Sequence, residues 1–173
     1  VVDNPLASDK MDFELSSPIS LALSAILVLI PHPDDADPRR PESVLLRRQK
    51  SYGYAQSAMD AIEIESEILE SSLSPGDALS ADPELLYRAP FHSRTPIELE
   101  SLLAYLILSV YEYAQRGNIA KMRNRASQAY DTAIRLSLHE GSNTIHTDEF
   151  SEARRRAWWM TVSDTLKKIV PYF

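Results

Sequence analysis

The sequence predicts an all-α protein, an irregular bundle of about five helices built around a central antiparallel helix hairpin. Two observations carry that prediction. Apolar residues recur at three- and four-residue steps in separate stretches, while no stretch alternates apolar and polar residues as a half-buried strand does. Proline, glycine and capping residues also stand where those stretches should start or stop. A chain of 173 residues with 44% hydrophobic content can fill one core of ordinary size, so it reads as one globular domain or most of one.

Ser17 and Pro18 open the first helix as an N-cap followed by proline at the first helical position, and the run ends at Ile30 before Pro31 and Pro33. Leu21, Ala25, Val28 and Leu29 give it a face, but apolar residues surround that face, so this helix is expected to be central. Its apolar run is shorter than the roughly 20 residues that cross a bilayer, and it contains Ser20 and Ser24. Residues 31–40 hold three prolines with Asp34, Asp35 and Asp37 and read as a connecting loop. The acidic cluster lacks the glycine and distal glutamate of a calcium loop. From Pro41 to about Leu69, Leu45, Tyr52, Ala55, Met59, Ile62 and Leu69 mark one face of a long helix. Arginines near its start and glutamates near its end oppose the helix dipole, so tertiary packing must hold it.

Residues 71–94 form a second, longer loop, with one short turn at Pro83 to Tyr87. Thr95-Pro96-Ile97-Glu98 then opens the clearest helix with a capping box, followed by Leu99, Leu102, Leu103, Leu106, Ile107, Val110 and Ala114 as its stripe. Gly117 stops that helix and Asn118 caps the next, from Ile119 to Leu138. Met122, Ala126, Ala129, Ala133 and Leu136 line its inner face, and the short alanines permit a tight hairpin. Thr147 is the expected cap of a fifth helix that carries Arg154, Arg155, Arg156, Trp158 and Trp159. Pro171 ends anything helical.

The order of parts from Leu99 to Trp159 resembles the fungal-specific transcription factor domain, the middle homology region of fungal zinc-cluster regulators such as the xylanolytic activators. A leucine-rich helix, a turn at Gly117, an alanine-rich helix ending in Leu136-Ser137-Leu138-His139, a loop and an Arg-Arg-x-Trp-Trp element all look like that family's parts. Ser137 departs from the pattern, because the family often has glycine there. Thr165 stands where an arginine would be expected after Asp164. The resemblance covers residues 17–164 and implies that residues 1–173 are part of a larger helical regulatory domain, with 165–173 an atypical tail. It further implies a nuclear parent protein whose separate N-terminal module binds zinc and DNA. The domain's partners would be other parts of that factor or co-regulators, with a small-molecule inducer as a further possibility.

The residues themselves limit the chemistry. A net charge of −7 opposes any grip on a nucleic-acid backbone by this segment, and with no cysteine it can build neither a disulfide nor a thiolate metal site. No cofactor or metal is expected here. Catalytic machinery is not apparent: there is no glycine-rich phosphate loop, no nucleophile elbow and no zinc-protease histidine pair. His139 and His146 with Glu140 and Asp148 match no ligand spacing. Arg154, Arg155 and Arg156 fan over most of a helical turn and cannot form one flat basic patch, so pairing with acidic neighbours outweighs ligand contact. Trp158 and Trp159 read as packing anchors, and no catalytic residue is assigned. The alternative function is a tetratricopeptide-like scaffold, which would need further hairpins at a fixed period.

Overall fold

A computed structural model describes residues 16–71, 88–140 and 149–169. Among the described residues there are five α-helices, α1 (Pro18–Leu27), α2 (Pro41–Ser71), α3 (Glu100–Ala114), α4 (Ile119–Arg135) and α5 (Ser151–Ile169), and a 3-10 turn, Ile97–Leu99, leads into α3. Among the described residues there is no strand, only an isolated bridge between His92 and Thr95. Among the described residues the helices are 10, 31, 15, 17 and 19 residues long, without a constant period.

The helix at the centre is α3, not α1. At 100° per residue Ala104, Leu108 and Tyr111 fall on one side of α3, and Leu102 and Leu106 fall on the opposite side, where Leu99 of the 3-10 turn joins them. The first set joins a cluster with Leu21, Ala22 and Ala25 of α1 and Ala55, Ala58 and Ile62 of α2. The second joins Ala129 and Ala133 of α4, Leu138, and Ala157 of α5. A helix buried on two faces has no single stripe, so Val110 and Ala114, read as core from the sequence, are exposed.

Ser17 caps α1 as expected, accepting the Ser20 N–H at 3.1 Å, with Pro18 at the first position. The helix stops at Leu27 rather than Ile30. Pro31 disfavours helical backbone at Ile30 and supplies no N–H, and the last residues close as turns, with Leu29 donating to Ile26 and Ile30 to Leu27. In the following loop Asp35 receives Arg47 at 3.1 Å, so this aspartate anchors the start of α2.

The inner face of α2 differs from the expected stripe. Leu45 and Tyr52 are exposed, whereas Ser51, Ala55, Ala58 and Ile62 are buried at four-, three- and four-residue steps. Three of these are small, and they let α1 approach until the Ser51 hydroxyl donates to the Ala25 carbonyl. Tyr52 instead lies under the guanidinium of Arg116, 5.0 Å from the ring centre.

The hairpin of α3 and α4 turns at Gly117, whose φ of 61° is left-handed, and Asn118 caps α4 by accepting the Lys121 N–H at 2.9 Å. The capping box before α3 does not form. Pro96 occupies the cap of the 3-10 turn without a side-chain hydrogen bond, and Glu98 reaches Arg154 instead. Thr147 and most of residues 71–94 lie outside the described residues. Helix α5 starts at Ser151 and runs through Ile169.

Candidate functional site

The arginine and tryptophan residues of α5 do not converge on one place. Arg154 Nη2 donates to Glu98 Oε1 at 2.9 Å and ties α5 to the turn before α3. Arg155 and Arg156 both donate to Glu152, at 2.6 Å each, on the outer side of the helix. Those hydrogen bonds, from Arg155 and then Arg156, hold the Glu152 carboxyl below its ordinary value. These pairs are exposed and contribute little to stability, and Glu152 accounts for both Arg155 and Arg156 without a ligand.

Trp158 turns inward. Its ring centre lies 6.1 Å from Tyr130 and 6.0 Å from His139 in tilted arrangements that suit aromatic quadrupoles. Trp159, one residue on and therefore about 100° around the helix, is 55% exposed. Between them the inner face of α5 is built from small groups, with Ala157 and Thr161 fully buried and the Thr161 hydroxyl donating to the Ala157 carbonyl at 2.8 Å. Ala157 shares a buried cluster with Ala129 and Ala133, so small residues line the contact of α5 with α4, and Trp158 packs beside them.

Helix α4 ends in a left-handed cap. Leu138 N–H donates to the Ala133 carbonyl at 3.1 Å and Ser137 N–H to Ile134 at 2.9 Å, the paired bonds of a Schellman motif. Ser137 has φ 52°, the conformation that glycine adopts without steric cost. The position where the resembled family often has glycine is thus one where glycine has a physical purpose.

An unanticipated group of charges lies at the start of α3. Glu100 is fully buried; one of its oxygens accepts the Phe91 N–H at 2.7 Å and the other accepts Arg88 Nη1 at 2.7 Å. Arg88 also bonds Glu65 of α2 through Nε at 2.7 Å and through Nη2, and the Ser101 hydroxyl donates to the second Glu65 oxygen at 2.8 Å. Only the acidic residue in the first turn of α3 hinted at this in the sequence, since the partners are 12 and 23 residues from Arg88.

Beside these charges is a cavity of about 410 Å³ between the end of α2, the start of α3 and the end of α4. Ile62, Ile97 and Leu136 form its apolar wall, while Glu65, Glu98, Ser101, Tyr105, Thr132 and Arg135 bring polar groups to it. Burial raises the Tyr105 phenol above its ordinary value, against the opposing pull of Arg125 and Arg135. Glu98 belongs both to this wall and to the Arg154 pair, so the cavity and α5 share a residue. Among the described residues no three metal-type side chains gather, and no helix is long and apolar enough to cross a membrane. No family model matches this chain, and neither a curated protein nor a solved structure matches it.

Proposed function

We propose that the chain is a regulatory domain of the middle homology kind and controls the activity of a zinc-cluster transcription factor in the nucleus. It would do so through contacts with other parts of that factor or with co-regulators. One observation carries this reading: the two motif segments on which the resemblance rests meet in space. His139, from the Leu136-Ser137-Leu138-His139 phrase, lies 6.0 Å from Trp158 of the Arg-Arg-x-Trp-Trp element, and Leu138 shares a cluster with Ala157. The left-handed Ser137 adds separate support, because it gives a backbone reason for the family's glycine.

The role is regulation by protein contact because the segment carries a net charge of −7, which opposes a phosphate backbone. Zinc and DNA would be bound by a different module of the parent. Helix α5 is suited to transmit a contact: its inner side rests on small residues, and its outer side presents Trp159, Arg155 and Arg156 to solvent. The test is a fungal reporter driven by a foreign DNA-binding domain and activation domain, with and without residues 1–173 between them. Insertion should lower transcription, and Trp158→Ala, which loosens α5, should restore it. Equal output from all three fusions would remove the regulatory reading.

A further inference from the structure

We propose that the cavity between α2, α3 and α4 is a binding site for a small monocarboxylate with an apolar body, whose carboxylate is received by Arg135. Of the charged side chains on this wall, Arg135 is the least engaged by other described residues. Glu65 is engaged at one oxygen by Arg88 and at the other by Ser101, and Glu98 is engaged by Arg154. Arg135, in contrast, makes a single long hydrogen bond, from Nη2 to the Thr132 hydroxyl at 3.4 Å, and has no carboxylate in ion-pair reach among the described residues. A guanidinium carries five N–H donors in a planar fork that matches a carboxylate.

Two hydroxyls complete the anion-receiving side. Tyr105 lines the cavity and makes no hydrogen bond to another described residue, so its phenol can donate. Thr132 also lines the cavity, and its hydroxyl accepts the Arg135 hydrogen bond. The remaining wall is apolar through Ile62, Ile97 and Leu136, and the volume of about 410 Å³ falls within the usual range for small-molecule sites.

The location raises one objection, since Arg135 is in the last turn of α4, where the helix dipole is negative. A helix end carries roughly half a charge, however, and the carbonyls of Thr132, Ala133 and Ile134 already accept the N–H groups of residues 136 to 138. The full charge of Arg135 prevails. Completing the helix end uses the charge of Arg135 but leaves most of its donors unoccupied.

Titration calorimetry on residues 1–173 tests the site with phenylbutyrate, its neutral amide, phenylbutylamine and octanoate. Phenylbutyrate has about 12 heavy atoms and should bind with a millimolar or lower dissociation constant. The amide should bind at least about tenfold more weakly, because it cannot form a charge-assisted pair. Arg135→Gln should erase the difference between acid and amide, Arg135→Lys should keep part of it, and Tyr105→Phe should weaken the acid alone. Equal binding of acid and amide, or tighter binding of the amine, would overturn the proposal. So would the absence of binding by both acids at about 5 mM. The acid and amide comparison on the unaltered chain needs no variant to fold. Binding without any effect in the reporter would leave the site standing and remove only the regulatory reading.

Discussion

Replacing Arg88 with methionine removes the one cation between two carboxylates. Glu100 is fully shielded from water, and the side chains of Arg88 and Glu65 are 17% and 14% exposed, so solvent cannot take over what the guanidinium supplies. The variant would leave Glu100 with only the Phe91 N–H and Glu65 with only the Ser101 hydroxyl. Breaking a buried pair by removing one partner costs about 3–5 kcal/mol, a large share of a total of roughly 5–15 kcal/mol. For a chain of this size that corresponds to a fall in Tm of about 6–20 °C. Urea and thermal unfolding followed by far-ultraviolet circular dichroism would measure it. The variant Arg88→Met, Glu65→Gln, Glu100→Gln should recover at least about half of the loss, because no buried charge is left unpaired and the glutamine at position 100 still accepts from Phe91. A loss below about 1 kcal/mol for Arg88→Met would mean that water reaches these carboxylates, and the reasoning would fail.

Ser137→Gly should stabilise the chain by about 0.5–1 kcal/mol, since relief at φ 52° exceeds the extra freedom gained by the unfolded chain; a lower Tm would refute this. Trp158→Ala should cost about 2 kcal/mol or more and Trp159→Ala less than about 0.5 kcal/mol, with Trp159→Phe shifting the emission spectrum to the blue and Trp158→Phe to the red. Equal costs would contradict the opposed orientations of the two indoles. The Glu152 carboxyl should titrate below its ordinary value, as read by carbon NMR, and return toward it in Arg155→Gln, Arg156→Gln. Because its folded pKa is depressed, the stabilisation it brings is present above the unfolded value and disappears as pH falls through the lowered folded one. Unfolding midpoints that rise on acidification through that window would have the wrong sign.

Helices bounded by local chemistry were legible: Ser17-Pro18, Gly117 and Asn118 each act as their residue types require. The inner faces were less so, because periodicity counts large apolar side chains. On α2 the buried positions are Ser51, Ala55, Ala58 and Ile62, while the large Leu45 and Tyr52 are exposed. Closely packed helices need small residues at the contact, and small residues contribute little to an apolar pattern. Central α3 presents the complementary difficulty, since burial on two sides spreads its apolar residues around the helix and blurs any stripe. The capping box at Thr95 shows a local motif losing to tertiary geometry, as Glu98 is drawn to Arg154, 56 residues away.

The adjacent tryptophans follow from arc alone. Two consecutive helical side chains diverge by about 100°, so a helix with one packed side can bury only one of them fully. The small residues Ala157 and Thr161 decide which, because they fix the side of α5 that can approach Ala129 and Ala133. Trp158 is then carried to the ring of His139, just after the left-handed turn at Ser137. Trp159 is carried outward with Met160, and both are more than half exposed. The motif therefore divides its labour by position, with Trp158 fastening α5 to the end of α4 and Trp159 placed where a contact made by another molecule could be felt.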